Sequence, residues 1–196
     1  PTIDGVWAQY TLPNDDPAVA GTKSADVEVY KLDDSLGLQC EYTFHSNIAD
    51  KAARFYQAPT VAADGRAYVI YALPDDPELA GSPRRGYLFE LDPTDCSKRV
   101  LLELDEAAWH SPTLVDDRFV LVAAGATLTV FDLLLDRIDR TLTIGPSAGS
   151  PVEIQSAPVL EDGVVVLIDT QGRITLIEGT GFGGYGAAIW PTFRGG

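Results

Sequence analysis

Residues 58–92 read APTVAADGRAYVIYALPDDPELAGSPRRGYLFELD, and residues 156–178 read SAPVLEDGVVVLIDTQGRITLIE. Both stretches open close to a proline, reach an Asp-Gly pair a few residues later and continue into an apolar strand. The same order recurs at Pro1, and at Pro112 with Asp116-Asp117 in place of Asp-Gly. The four prolines lie 58, 53 and 46 residues apart. Self-similarity at this spacing indicates a repeat architecture.

Each unit contains a strand after the turn and then a second strand of the same shape. The first set comprises Val6–Leu12, Arg66–Leu73, Arg118–Ala124 and Val164–Asp169, and the second Asp26–Asp33, Gly86–Asp92, Thr127–Asp132 and Ile174–Glu178. The first three units close with a further strand, at Leu38–Phe44, Lys98–Leu104 and Arg137–Ile144. Alternating polarity and Asp-Gly or Pro-Asp turns are typical of short, half-buried strands.

These units predict an all-β protein, a β-propeller with four blade-like, four-stranded antiparallel repeats. The repeats occupy approximately residues 1–57, 58–110, 111–155 and 156–196 of a single propeller region. Because the chain starts on a proline of the repeat and stops inside another motif, we expect it to be part of a larger ring of seven or eight blades.

The charge balance limits the kinds of partner. The chain carries 29 acidic and 14 basic residues, a formal net charge of −15. Binding to phosphate backbones needs clustered Lys and Arg, so neither nucleic acid nor an anionic membrane surface is an expected partner. No apolar run approaches the roughly 20 residues that span a bilayer, so we expect no membrane span.

The repeats resemble the bacterial quinoprotein-like (PQQ-repeat-like) propellers. Residues 58–92 and 156–178 carry the resemblance most clearly, and residues 190–195 (WPTFRG) look like a segment common in these propellers. The family's enzymes bind pyrroloquinoline quinone and calcium, and their blades carry a docking pattern that ends in Thr-Gly-x-x-x-Trp. The matching places here, Leu91–Cys96 and Phe131–Leu134, lack both the glycine and the tryptophan. The resemblance therefore implies a non-enzymatic scaffold located outside the cytoplasm, periplasmic or secreted.

Propeller geometry predicts where a ligand would bind. The loops between the second and third strands open on the same face as the segments that lead from one blade to the next. On that face, residues just before each inner strand lie at the mouth of the central channel. The candidate ligand-binding residues are therefore Tyr56, Gln57, Trp109, His110 and Gln155. Trp109 and His110 could form a stacking and hydrogen-bonding platform, although packing between blades is the favoured role of Trp109.

The first two units share an acidic loop, at residues 12–21 and 73–81. Carboxylates of Asp15, Asp16, Asp75 and Asp76 are the hard ligands that calcium prefers. Their spacing matches no calcium loop, however, and Pro-Asp-Asp-Pro is good turn chemistry. A solvated acidic rim is the favoured interpretation, and we expect no cofactor.

Two further features have simple structural interpretations. The glycine-dense segment Gly179–Gly186 lacks the Lys-Ser/Thr and helix of a phosphate loop, which favours a flexible linker. Cys40 and Cys96 lie near outer strands of adjacent units, where blades diverge. Since a disulfide needs Cα atoms within about 7 Å, we predict two thiols.

Two classes of function remain open. The favoured hypothesis is a non-catalytic propeller scaffold that binds a protein, a peptide or a small ligand on the face just described. Its partners could include further blades or a second copy of the chain, because exposed blade edges need covering. The alternative is a quinoprotein-type oxidoreductase or another enzyme whose catalytic residues lie mostly outside this piece.

Overall fold

A computed structural model describes residues 6–13, 25–44, 58–73, 85–145 and 152–185. Within these ranges the chain forms β-strands and turns, with no helix, and so no helix that could cross a membrane. The strands are β1 (Val6–Pro13), β2 (Ala25–Leu32), β3 (Leu38–Phe44), β4 (Thr60–Val61), β5 (Ala67–Leu73), β6 (Arg85–Leu91), β7 (Lys98–Leu104), β8 (Thr113–Val115), β9 (Phe119–Ala124), β10 (Thr127–Asp132), β11 (Arg137–Thr143), β12 (Val159–Glu161), β13 (Val164–Ile168) and β14 (Ile174–Ile177).

The strands form four antiparallel sheets that follow one another along the chain. The first sheet has the order β1-β2-β3, the second β4-β5-β6-β7, the third β8-β9-β10-β11 and the fourth β12-β13-β14. Strands adjacent in sequence are adjacent in each sheet, which is the arrangement of a propeller blade. The predicted fold class, an all-β propeller with four blade-like antiparallel repeats, is confirmed.

The turn after the first strand of a blade follows the Asp-Gly pattern of the sequence. Between β4 and β5, Gly65 has φ +88°, and between β12 and β13, Asp162 and Gly163 have φ values of +46° and +77°. Asp116 and Asp117 occupy the same left-handed region between β8 and β9. Glycine enters this region without steric cost, and aspartate tolerates it better than most residues. These residues therefore allow the short hairpins on which the blades begin.

Three hydrophobic cores lie between consecutive sheets. Side chains alternate along each strand, so every inner sheet buries one face against the sheet before it and the other against the sheet after it. We call these the backward face and the forward face. On β5, Val69 packs backward onto the first sheet while Tyr68 and Ile70 pack forward onto the third. On β9, Val122 packs backward and Leu121 packs forward onto the fourth. The cores are thus the interfaces between blades.

The innermost strands are also connected by a repeated hydrogen bond. Thr60 Oγ1 donates to the carbonyl oxygen of Pro112 at 2.5 Å, and Thr113 Oγ1 donates to that of Pro158 at 2.6 Å. Both threonines are fully buried. A threonine at the start of one sheet therefore binds the proline that opens the next.

Cys40 and Cys96 form a disulfide, so the prediction of two thiols is wrong. Their Cα atoms are 5.6 Å apart. Cys40 lies on the outer strand β3, as expected, but Cys96 lies in the turn between β6 and β7, where its backbone takes φ +58°. This turn approaches the first sheet. Trp7 Nε1 and Lys31 Nζ of the first sheet also donate to carbonyl groups in turns of the second, those of Gly65 at 2.9 Å and Pro93 at 2.8 Å.

Candidate functional site

The predicted binding face includes the turns between second and third strands and the segments between sheets, and we call it the connection face. Within the described residues it comprises residues 105–112, 125–126, 152–158 and 170–172. Of the predicted ligand-binding residues, it contains Trp109, His110 and Gln155. Tyr56, Gln57 and the acidic residues Asp15, Asp16, Asp75 and Asp76 lie outside the described residues, so the calcium hypothesis stays a prediction.

The segment from Asp105 to Pro112 crosses from the second sheet to the third, and two glycines make room for it. A Cβ atom at Gly86 would lie 3.0 Å from the carbonyl oxygen of Glu106, and one at Gly125 would lie 3.0 Å from its Cγ. Gly125 also has φ +52°. The exposed Glu106 side chain therefore lies against the turn of the third sheet and adds a negative charge to the face.

Trp109 and His110 lie side by side on this segment, and each is half-buried. Burial lowers the pKa of His110 below its usual value, because a charged imidazolium loses solvation there. Burial thus favours the neutral ring, which can both donate and accept a hydrogen bond. The next residue, Ser111, donates its hydroxyl to the carbonyl oxygen of Ala58 at 2.9 Å, which connects the segment to the second sheet.

Hydrogen bonds to the third and fourth sheets hold the segment that carries Gln155. Ile154 N donates to the carbonyl oxygen of Gly125 at 2.7 Å, and Gln155 N donates to that of Ile168, also at 2.7 Å. The side chain of Ser156 accepts a hydrogen bond from Ile168 N at 2.9 Å. Gln155 is exposed. Its amide side chain is thus presented to solvent from a fixed backbone.

The turn between β13 and β14 is held by an ion pair. Asp169 Oδ2 accepts a hydrogen bond from Arg173 Nε at 2.7 Å, and Asp169 Oδ1 accepts bonds from the backbone amides of Gln171 and Arg173. Burial tends to raise the pKa of Asp169, but these hydrogen bonds outweigh it and the pKa is lowered. Arg173 is thereby positioned at the start of β14.

A groove of about 470 Å³ lies between the outer strand of the third sheet and the fourth sheet. It begins at the connection face, because the end of β11 and the start of β14 both lie there. Within the described residues, β14 pairs with β13 alone, so its other edge is open along the groove. The lining residues are Leu142, Thr143, Ile144, Gly145, Arg173, Ile174, Thr175 and Ile177.

This groove was not predicted from the sequence. One signal was nevertheless present, since only the first three units of the sequence show a closing strand. Among the described residues, no such strand pairs with the outer edge of β14 in the fourth unit. Inferring a groove from that absence would also have required the position of β11, which the sequence does not specify.

The glycine-dense segment is not a flexible linker, and that prediction is wrong. In residues 179–185, Phe182 is buried in the core between the third and fourth sheets. The amides of Gly183 and Gly184 donate to the carboxylate of Asp116 at 2.9 and 3.0 Å, and Tyr185 pairs with Val115. The segment lies at the end of the sheets opposite the connection face. Its glycines let the backbone approach a carboxylate, not a phosphate.

No family model matches the chain, and no curated protein sequence matches it either. Solved structures resemble it. A provisionally assigned 6-phosphogluconolactonase from Bacteroides fragilis is 12% identical over 90% of this chain and 49% of its own length, with a TM-score of 0.48. A protein of unknown function from Bacteroides caccae is 14% identical over 90% of this chain and 69% of its own, with a TM-score of 0.43.

BamB from Moraxella catarrhalis is 13% identical, again with a TM-score of 0.43, over 88% of this chain and 61% of its own length. The chain therefore spans about half the length of the Bacteroides fragilis protein and less than two thirds of BamB.

Proposed function

We propose that the chain is a non-catalytic propeller scaffold that binds an extended segment of a protein or peptide on its connection face. The groove between β11 and β14 carries this proposal. Its volume of about 470 Å³ lies within the roughly 300–1,000 Å³ of ligand sites in proteins. An open strand edge along such a groove can accept a further strand by β-augmentation, in which main-chain hydrogen bonds supply affinity.

The lining of the groove suits this mode of binding. Leu142, Ile144 and Ile177 are half-buried and supply apolar contacts, while Thr143 and Thr175 can form hydrogen bonds. Arg173, in its ion pair with Asp169, lies at the end that opens on the connection face.

The disulfide supports a location outside the cytoplasm, periplasmic or secreted. Such bonds form and persist in oxidising compartments and are rare in the cytosol. Protein recovered from its own cells should therefore resist alkylation of Cys40 and Cys96 unless it is first reduced. Full alkylation without a reductant would contradict this location.

Two threonines on β11 allow a matched test of the groove. Thr143 and Thr141 are both exposed, but only Thr143 lines the groove. A phage-displayed library of random peptides would be panned on the immobilised chain, and a selected peptide titrated by calorimetry. Thr143→Arg should weaken its binding at least about tenfold, or 1.4 kcal/mol, because the longer side chain fills the groove. Thr141→Arg should leave the affinity unchanged.

Two results would refute the proposal. One is a library from which no peptide is enriched over a blocked surface. The other is a selected peptide that binds the Thr143→Arg and Thr141→Arg variants equally well. Both variants change an exposed position, so thermal melting can verify that each remains folded.

A further inference from the structure

The forward face of the fourth sheet is mainly apolar and exposed, with the carboxylate of Glu161 at one end. Cross-strand pairing places Val166 opposite Val159 and Leu176, and Ile168 opposite Ile174, so these side chains share one face. The other face of this sheet carries Leu160, Val165 and Leu167, which are buried against the third sheet. The exposed fractions on the forward face are 45% for Val159, 43% for Ile168, 66% for Ile174 and 59% for Leu176.

The same positions are buried in the third sheet. Its hairpin register pairs Ala123 with Leu128 and Leu121 with Val130, as the register of the fourth sheet pairs Ile168 with Ile174 and Val166 with Leu176. Leu128 and Val130 are 1% exposed, in the core that the third sheet forms with the fourth. The forward face of the fourth sheet therefore has the chemistry of a blade interface, and none of the other described sheets packs on it.

The first sheet has a matching apolar surface. Its side chains Trp7, Val29 and Tyr42 pack forward onto the second sheet, so alternation places Val6, Ala8, Tyr30 and Leu32 on the backward face. Val6 is 47% exposed, and Ala8, Tyr30 and Leu32 are half-buried. The carboxylates of Glu28 and Glu41 lie on the same face. In the second sheet the corresponding residues are Ala67, Val69, Phe89 and Leu91, which are buried against the first sheet.

A single copy does not bring these two faces together, because Ile174 and Leu176 remain mostly exposed in the whole chain. We propose that two copies of this chain associate head to tail, the forward face of each fourth sheet packing on the backward face of the partner's first sheet. This contact continues the series of three interfaces already present within the chain. Two copies supply eight sheets, within the four to eight blades typical of propellers, and a head-to-tail contact of this kind can close into a ring.

Light scattering on the size-fractionated chain tests the association. The expected mass is twice the 21.0 kDa of one chain. Leu176→Glu and Val6→Glu, one on each face, should both give monomers, and Leu176 does not line the groove. Leu134→Glu is the control, because Leu134 is 74% exposed in the turn between β10 and β11, on neither face. It should leave the dimer intact. Each substituted position is exposed, and circular dichroism verifies that the variants fold.

Mixing the two variants distinguishes head-to-tail from face-to-face pairing. In a mixed dimer, the unmodified forward face of the Val6→Glu chain can pack on the unmodified backward face of the Leu176→Glu chain, so mixing should restore part of the dimer. A Val6→Glu chain that stays dimeric while Leu176→Glu is monomeric would mean that two forward faces meet, which overturns the proposal. A wild-type chain that stays monomeric at its highest soluble concentration overturns it as well. Neither result depends on whether the groove binds a peptide.

Discussion

Thr113 shows how a single side chain can join two blades. Its hydroxyl is fully buried and donates to the carbonyl oxygen of Pro158 at 2.6 Å, 45 residues further along the chain. Thr60 makes the same contact with Pro112. A buried carbonyl that loses its donor costs free energy, because water cannot replace the bond.

Thr113→Val tests this contact, since valine keeps the shape of threonine and removes the hydroxyl. We expect the free energy of unfolding to fall by about 1–2 kcal/mol, measured by urea denaturation. Thr141→Val is the matched control, because Thr141 is exposed on β11, and it should change the value by less than about 0.5 kcal/mol. Equal stability of the two variants would mean that the buried bond contributes nothing.

At the scale of single residues, the sequence shows the positions of Thr60 and Thr113 but not the acceptors of their hydroxyl groups. The Pro-Thr pairs at residues 59–60 and 112–113 are visible as part of the repeat. The acceptor of each hydroxyl, however, belongs to the next repeat, and only the stacking of the sheets brings it close. In the fourth unit Val159 follows Pro158, so this unit has no threonine hydroxyl at the equivalent position.

At the scale of secondary-structure elements, one buried carboxylate, that of Asp132, stabilises the hairpin of β10 and β11. Asp132 accepts backbone hydrogen bonds from Leu134 and Leu135 at 2.9 and 3.1 Å, and one from Arg118 Nη2 at 2.6 Å. The Arg118 hydrogen bond, with the two amides, lowers the pKa of Asp132 from 3.8 to about 2. Asp132 thus links the turn after β10 to the hairpin that starts the same sheet.

The lowered pKa gives a dependence of stability on pH. The folded state binds a proton at Asp132 less readily than the unfolded state, so its stabilisation is present above pH 3.8 and is lost as the pH falls towards 2. Urea unfolding at a series of pH values should show that Asp132→Asn is less stable than wild type at pH 6. That difference should shrink between pH 4 and pH 2.

Asp105→Asn controls for net charge, because Asp105 is exposed between β7 and β8. A difference between Asp132→Asn and wild type that stays constant down to pH 2 would contradict the assigned role of the Arg118–Asp132 pair.

The strands themselves were predictable to within a residue or two. Thr127–Asp132 was predicted as observed, and Val6–Leu12 is one residue short of β1. Strand positions were predictable because the alternation of polarity is a local property of the sequence.

The position of the segment 179–185 was not predictable, because glycines have no periodic pattern and the segment is positioned by Asp116 in another sheet. The groove was missed for the same reason, since β11 and β14 belong to different repeats.

At the scale of the molecule, the disulfide was the main error of the sequence analysis. The repeat places both cysteines near outer strands, where blades separate. The direction in which the turn at residues 92–97 approaches the first sheet is a property of the assembled stack. Lys31, 4% exposed, also reaches this turn and donates to Pro93. The first and second sheets are therefore joined by a covalent bond in addition to their hydrophobic core.

Removing the Cys40–Cys96 disulfide should destabilise the first sheet more than the third. The disulfide closes a loop of 56 residues, for which the chain-entropy relation gives about 4 kcal/mol. We expect Cys40→Ser with Cys96→Ser to lower the free energy of unfolding by roughly 2–4 kcal/mol. Since stacked sheets contact only their neighbours, hydrogen exchange should accelerate at β2 more than at β9 and β10. Dithiothreitol should produce the same change in wild type and none in the double variant. Equal acceleration in all sheets would show that the molecule unfolds as one unit and that the bond stabilises every blade alike.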